Sequence, residues 1–296
     1  ERLMEAPDQK ILCFPALPIP DFSRWREESS RNPSPHWAKV TTDTGDARSI
    51  TLWLRACPPY RPTREGVALS SFYIASNALH AQTRERALNL PLKPLLAGYG
   101  IGAYGRNGLI AVPGMGTRFA AAAEASSDPP DPLRKWDDHR PLDARCEQCG
   151  ACTAVCPNGA LPGNGRVDVT LCLRAQAQFQ TPRMPDASRD RIGASQWGCD
   201  LCQEACPRNA AIAPVSMPEG LERALELKRL LAGDVKPLGE WIGTNYARPA
   251  RMQARASLVA ANLGRRDLTE DIRKLQNSPV EAVRDCAAWA LAKLER

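Results

Sequence analysis

Strict alternation of apolar and polar residues marks one segment of the N-terminal half. Residues 49–57 (SITLWLRAC) alternate with period two and are rich in β-branched and aromatic side chains, which is typical of a half-buried strand. Prolines interrupt residues 1–45, which are predicted to be irregular. Further segments are predicted as a strand or strand–helix junction (67–76), a helix (77–90), a short strand (108–112) and an element of either kind (119–125).

The C-terminal part has a different period. Apolar residues recur at helical spacing and predict short helices over residues 249–263, 268–276 and 280–294. Stacked short helices of this size are typical of a small α-solenoid, so we predict a HEAT-like helical domain over residues 216–296. The recurring positions are Leu258, Ala261, Ile272, Leu275, Val283, Ala287 and Leu291.

Length and composition fit a globular protein of one large or two to three small domains. The chain has 296 residues, of which 43% are hydrophobic and 24% charged. It contains no run of 18 apolar residues and begins without a signal-like apolar segment, so we expect no membrane association and a cytoplasmic location. We expect a monomer.

Cysteines carry the strongest chemical pattern. Eight of the eleven lie within residues 146–206. Residues 146–157 read CxxCxxCxxxCP, the spacing of bacterial ferredoxins, in which three thiolates wrap one cubane and the fourth binds a second cubane. Such crowding in a long chain indicates metal ligation rather than disulfides. We therefore predict two [4Fe–4S] clusters.

The second run is incomplete, and its missing ligand is predicted to be Cys172. Residues 199–207 supply only three cysteines before a proline, and Cys172 stands alone between the runs. Interleaved ligation as in ferredoxins then divides the eight into two sets. One set is Cys146, Cys149, Cys152 and Cys206, and the other is Cys156, Cys172, Cys199 and Cys202.

Two motifs have a second interpretation, as zinc sites or as a dinucleotide-binding loop. A pair of zinc sites would use eight thiolates, but zinc sites are usually built from paired CxxC motifs rather than CxxCxxCxxxCP. Residues 100–105 fit GxGxxG, yet residues 108–112 behind them predict a strand instead of the phosphate-binding helix. We therefore favour clusters over zinc and do not predict a dinucleotide site.

Basic residues concentrate at the start of the C-terminal helices. This concentration fits either a nucleic-acid footprint or an ordinary solvated helix surface. The residues are Arg248, Arg251, Arg255, Arg265, Arg266, Arg273 and Lys274.

Together these motifs resemble the epoxyqueuosine reductase family, which is similar to reductive dehalogenases. The resemblance covers roughly residues 91–296. It is carried by GIGAYGRNGLI at 100–110, the first cysteine run, Cys172, WGCDLCQEACPRN at 197–209 and AAWAL at 287–291. It implies an α+β chain with a shortened nitroreductase-like α/β cofactor domain (1–140), a ferredoxin-like domain (141–215) and the HEAT-like domain.

The resemblance also implies a cofactor and a reaction. Members pass electrons through two [4Fe–4S] clusters to a cobalamin and reduce an epoxide on a tRNA wobble base in queuosine biosynthesis. The corrinoid contacts implied here are Gly102, Gly105, Ile110 and Ala121. Implied partners are tRNA, at the basic helices, and a reductant protein such as flavodoxin or ferredoxin.

The chain departs from the family at the general acid. The family has an aspartate about a dozen residues before the glycine loop, and an ungapped count reaches Arg86. No aspartate lies between Gly66 and Gly105, which leaves Glu85 as the candidate proton donor. The resemblance implies a cobalamin-dependent reductase, the missing aspartate favours an accessory electron-transfer protein as the alternative, and a structural cluster protein is the third hypothesis.

Overall fold

A computed structural model describes residues 10–22, 44–84, 86–137, 142–179 and 184–296. Its strands form a four-stranded sheet in the order β1-β2-β7-β4 and two small pairs, β3 with β8 and β5 with β6. In chain order they are β1 (Ile11–Leu17), β2 (Ser49–Ala56), β3 (Ala68–Leu69), β4 (Ala87–Leu88), β5 (Ala103–Tyr104), β6 (Ile110–Ala111), β7 (Phe119–Ser126) and β8 (Ser195–Trp197).

The described helices are short, apart from one beside the sheet and two near the C-terminus. They are α1 (Phe72–Thr83), α2 (Leu92–Gly98), α3 (Ala151–Ala154), α4 (Leu173–Phe179), α5 (Asp186–Arg189), α6 (Leu201–Glu204), α7 (Glu219–Ala224), α8 (Leu227–Leu231), α9 (Lys236–Ile242), α10 (Pro249–Asn262), α11 (Thr269–Lys274) and α12 (Glu281–Leu294).

Alternation along β2 separates the two faces of the sheet, as its sequence predicted. Ile50, Leu52 and Leu54 point to one face and are buried in a core that also contains Leu95 of α2. The opposite face is covered by α1. Strand β7 is rich in alanine there, and Ala120 packs in the same cluster as residues of α1, so small side chains let the helix lie close to the sheet.

Two sequence predictions in this half are wrong. Residues 11–17 form an edge strand paired with β2, although the prolines predicted irregular structure. An edge strand tolerates Pro15, because one side of it needs no hydrogen-bond donor. The helix predicted over 77–90 ends at Thr83, because Ala87 and Leu88 pair with β7 instead. The remaining residues of the irregular segment lie largely outside the described ranges.

Other predictions of secondary structure are confirmed. The strand at 49–57 is β2, and the junction at 67–76 is the passage from β3 to α1. The short strand at 108–112 is β6, and the alanine-rich segment is β7. The C-terminal helices are α10, α11 and α12 within one or two residues of the predicted ends.

The largest core joins residues from three parts of the chain. Val67 and Tyr73 near the sheet, Trp197 in the cysteine-rich segment, and Leu230 and Val259 in the helical part are buried in one cluster. The helical part therefore packs directly on the rest of the molecule. Among the described residues, no helix has both the length and the apolar character needed to span a membrane.

This shared core yields a stability prediction. Leu230 is 0% exposed, and its replacement by alanine leaves a cavity, so Leu230→Ala should lower the free energy of unfolding by roughly 2–5 kcal/mol in urea titration. Leu133→Ala is the matched control. Leu133 is 87% exposed, and its change should stay within about 0.5 kcal/mol. Equal effects at the two positions would contradict the packing described here.

Candidate functional site

Four of the predicted ligands surround one pocket. The side chains of Cys146, Cys149, Cys152 and Cys206 line it together with Gly105. They are the four that the spacing assigned to one cluster. Burial raises the pKa of the Cys152 thiol, and the neighbouring thiols of this set raise it further. Among the described residues, no three His, Cys, Asp or Glu side chains are arranged to hold a single metal ion.

An acidic residue orders the start of the first cysteine run. Asp143 precedes the short turn Ala144–Cys146 and accepts a hydrogen bond from the Arg145 amide at 2.9 Å. Its carboxylate also pairs with Arg208, which follows the second run. Burial opposes ionisation of Asp143, but the hydrogen bonds from Arg145 and Arg208 outweigh it and lower its pKa. Asp143 therefore ties the beginning of one cysteine run to the end of the other.

The glycine run packs against this first pocket. A Cβ atom on Gly105 would lie 3.8 Å from the Cys146 Sγ and 2.9 Å from the Asn107 Oδ1, so a side chain here would force Asn107 to move. The hairpin β5–β6 includes part of this run, because β5 lies between Gly102 and Gly105, and the predicted strand follows the glycines where a phosphate-binding helix would begin. The loop closes one side of the first pocket.

Three ligands of the second predicted set lie together. Burial raises the pKa of Cys199 to about 11 and that of Cys202 to about 12, and in both cases the Cys172 thiol adds to the rise. The fourth member, Cys156, follows α3, where its Sγ accepts a hydrogen bond from the Ala160 amide at 3.3 Å. The Cys152 thiol also raises the pKa of Cys202, so the two sites adjoin.

Polar residues between the cysteines fasten the second run to the sheet part of the chain. Asp200 forms an ion pair with Arg118 at 2.9 Å and accepts a hydrogen bond from the Ser70 hydroxyl at 2.8 Å. Its carboxylate also accepts from the Gln203 amide at 3.0 Å. Arg118 is 2% exposed, so this ion pair is buried.

The same interface continues to the end of the run. The Asn209 Oδ1 accepts from the Thr117 amide at 2.8 Å, and the Asn209 Nδ2 donates to the Gln203 carbonyl at 2.7 Å. The Thr117 hydroxyl donates to the Gln203 side chain at 3.2 Å. Residues 117–118 therefore hold the second run at several points, which fixes the thiols of that run relative to the sheet.

Three cationic side chains interact electrostatically with thiols of the second set. The Arg174 guanidinium lies 4.2 Å from the centre of the Phe72 ring, and Lys93 donates to the Gly108 carbonyl at 2.7 Å. Burial against the surrounding protein and repulsion by Arg174 together lower the pKa of Lys93 to about 8, although the side chain keeps contact with solvent. Arg255 is 4% exposed and donates to the Ser195 carbonyl at 2.8 Å.

The residues implied as corrinoid contacts lie around the glycine run and β7. Ile110 is 3% exposed and belongs to the core below the sheet, and its side chain fills the space beside Gly102. Ala121 packs partly buried against that core, and Gly105 faces the first cysteine pocket. These four residues do not by themselves enclose a cofactor-sized space.

The candidate proton donor Glu85 lies outside the described residues. Arg86, which the ungapped count reached, forms an ion pair with Glu124 of β7 at 3.3 Å. The other oxygen of that carboxylate accepts from the Trp53 ring nitrogen at 2.6 Å. Arg86 therefore has a structural partner at the sheet.

Acidic neighbours and burial account for most of the basic residues of the C-terminal helices. Arg265 bonds to Asp267 at 2.7 Å and to Glu65 at 2.9 Å. Arg255 is buried, and Arg251 lies against the Trp197 ring at 5.5 Å. Arg273 and Lys274 pair with carboxylates in the same helix. Intramolecular partners thus reduce the net positive field expected from the sequence.

The sequence analysis missed Lys93, Arg118, Arg174 and Asp200. Only Asp200 carried a local indication, because a carboxylate between two cluster cysteines adds charge where thiolates already repel it. Its compensation by Arg118 depends on a contact 82 residues away along the chain. No local pattern could have shown it.

Comparison with known proteins identifies the cysteine-rich segment and the relatives of the chain. The profile of the family described as "4Fe-4S double cluster binding domain" matches residues 145–209. The chain therefore carries an iron–sulfur double-cluster domain, and the zinc alternative is set aside. It is 30% identical to the epoxyqueuosine reductase of Staphylococcus aureus over 202 residues and 28% identical to that of Bacillus subtilis over 203 residues.

These alignments confirm the resemblance predicted from the motifs. Each covers 66% of this chain but only 51% of the relative, so the chain spans about half the length of the curated relatives it matches. Over 66% of its own length this chain is homologous to epoxyqueuosine reductases.

Solved structures show the same fold over nearly the whole chain. A crystal structure of epoxyqueuosine reductase with a tRNA-Tyr epoxyqueuosine-modified stem loop superimposes with a TM-score of 0.72 at 23% identity, covering 97% of this chain and 86% of that one. The enzyme of Streptococcus thermophilus gives a TM-score of 0.70 at 19% identity, with 96% and 86% covered. The mixed α/β fold is thereby confirmed.

The buried Asp200–Arg118 pair yields a prediction. Asp200→Asn removes the charge that compensates a buried guanidinium, so the free energy of unfolding of the iron-loaded protein should fall by roughly 3–5 kcal/mol. Iron content should fall with it. Glu204→Gln is the matched control, since Glu204 is exposed on α6 in the same run. Unchanged stability of the Asp200 variant would contradict the view that this ion pair holds the second cysteine run against the sheet.

Proposed function

We propose that this chain is an iron–sulfur oxidoreductase of the epoxyqueuosine reductase type, in which two [4Fe–4S] clusters deliver electrons to a corrinoid that reduces a queuosine precursor in tRNA. The observation that carries the proposal is the gathering of Cys146, Cys149, Cys152 and Cys206 around one pocket, beside a second group of thiols. Homology to epoxyqueuosine reductases over 66% of the chain supports the class of reaction.

Each cluster site has a donor set that fits a cubane. Cys146, Cys149, Cys152 and Cys206 would hold one cluster, and Cys156, Cys172, Cys199 and Cys202 the other. Clusters held in this way take up and release single electrons. The protein keeps the thiols partly or fully buried, which limits contact with water and oxidants.

The four residues first implied as corrinoid contacts do not by themselves form a corrinoid-binding site. The Ile110 side chain is buried against Gly102, and Gly105 lines the first cysteine pocket. We therefore derive no step through a corrinoid, and its place in the proposal depends on the relatives.

The substrate and the proton source depend on the relatives in the same way. A structural neighbour was solved with an epoxyqueuosine-modified tRNA stem loop. Another, from Bacillus subtilis, has its catalytic aspartate loop swung out of the active site. This chain has no aspartate between Gly66 and Gly105, so opening of an epoxide needs another acid, for which Glu85 is the nearest carboxyl group in sequence.

Iron loading tests the cluster sites. Anaerobic reconstitution with iron and sulfide should give about eight irons per chain, and Cys172→Ala should reduce this to about four. Cys57→Ala is the control, because Cys57 is buried but lies outside both ligand sets. Loading of about four irons in the unmodified protein, or no loss in the Cys172 variant, would refute the assignment.

Corrinoid binding and turnover test the reaction. The reconstituted protein should bind cob(II)alamin, detected by its EPR spectrum, and convert an epoxyqueuosine-modified tRNA stem loop under reducing conditions. Glu85→Gln should lower turnover at least tenfold without changing iron content, because it removes the proposed proton donor. Glu147→Gln, at an exposed glutamate within the first cysteine run, is the control.

A second function is favoured by two observations. The packed state of Gly102 and Ile110, together with the missing aspartate, fits an accessory protein that passes electrons from its clusters to a partner. A protein with eight irons that binds neither cob(II)alamin nor the tRNA stem loop, yet reduces a partner cofactor, would establish this alternative.

A further inference from the structure

The two cluster sites differ in the charge of the protein around them. Positive groups beside a cluster stabilise its reduced form, because reduction adds a negative charge, and burial strengthens this effect. The comparison therefore depends on which cations near each site are already neutralised by carboxylates.

Arg174 is held close to the second site by aromatic rings. It follows Cys172 by two residues, and its guanidinium lies over the rings of Phe72 at 4.2 Å and Tyr73 at 5.3 Å. Cys172 and Asp200 both attract it electrostatically. The Asp200 carboxylate is itself bound to Arg118 at 2.9 Å, so much of the positive charge of Arg174 stays available to the site.

Lys93 approaches the same thiols from α2. Its amine donates to the Gly108 carbonyl at 2.7 Å, and the Cys172 and Cys202 thiols both act on it electrostatically. Lys93 and Arg174 also repel each other, which shows that both charges lie in one region. Among the described residues, neither forms an ion pair with a carboxylate.

Arg255 approaches from the helical side. It is buried in α10, where its Nε donates to the Ser195 carbonyl at 2.8 Å and the Cys199 thiol attracts it. Its Nη2 atom is buried and has no hydrogen-bond partner among the described residues. A donor left unpaired in this way is costly, unless a group absent from the protein itself accepts the bond.

Around the first site, most of the cationic side chains have a carboxylate partner. Arg208, in its wall, pairs with Asp143, and Arg145 on the other side of the same carboxylate is largely exposed. Arg106 lines the pocket and donates to the Glu147 carbonyl at 2.9 Å. One cation near the first site therefore lacks a carboxylate partner in the described ranges, against three near the second.

We infer that Lys93, Arg174 and Arg255 give the cluster held by Cys172, Cys199 and Cys202 the higher reduction potential, so that it holds the first electron taken up. In that step one electron from a low-potential external reductant converts [4Fe–4S]2+ to [4Fe–4S]+, with no bond made or broken. The inference rests on the two clusters of the proposed function and needs neither a corrinoid nor a tRNA.

The test is a redox titration of the reconstituted full-length protein, followed by EPR of the reduced clusters. We expect two one-electron steps. Arg174→Gln should move the step at higher potential to a more negative value and leave the other in place, while Arg174→Lys should retain most of the original value. Lys93→Gln should move the same step, and because Lys93 reaches solvent this variant tests the inference even if Arg174→Gln fails to fold.

Arg106→Gln is the matched control at the first site. It should move only the step at lower potential. A single unresolved step, or an unmoved higher step in both the Arg174 and Lys93 glutamine variants, would overturn the inference while leaving the cluster assignment intact. Fewer than about eight irons in the unmodified protein would instead remove the proposed function on which the inference rests.

Discussion

The buried ion pair between Arg118 and Asp200 is the interaction on which the arrangement of the sites depends. It joins the end of the sheet to the residue between two predicted cluster ligands, Cys199 and Cys202. A charge pair removed from water gains little by itself, and its main effect is to penalise every arrangement in which one partner is left alone. The position of the second cysteine run relative to the sheet is therefore tightly specified.

Local patterns predicted most of the elements, and distant contacts explain the exceptions. Alternation predicted β2, and helical spacing predicted α10 and α12, because each of these elements buries one face of its own. Strand β1 was missed, since it pairs with β2, which is distant in sequence, and Pro15 concealed the alternation. The predicted helix at 77–90 was too long for the same reason, as pairing with β7 takes its last residues.

In the candidate site, too, local patterns predicted one part and distant contacts determine the rest. Spacing alone assigned Cys146, Cys149, Cys152 and Cys206 to one set, and these four line one pocket. Spacing could not show what surrounds the thiols, because Arg118 and Lys93 come from elements remote in sequence. The basic residues near the C-terminus show the same limit, because their sequence left two interpretations open. Their sequence density indicated a charged surface, whereas Arg265 and its neighbours find carboxylates within the protein.

Residues near the sheet, in the cysteine-rich segment and in the helices share one core, and this core links the protection of the clusters to the stability of distant parts of the protein. Because Tyr73, Trp197 and Leu230 belong to one buried cluster, these parts are expected to unfold as a cooperative unit. A substitution far from the thiols, even in the last helix, is then expected to increase the exposure of the clusters to oxygen. Retention of the clusters therefore depends on the folding of the parts that share this core. Selection for electron transfer then also acts on packing residues that do not contact a cluster.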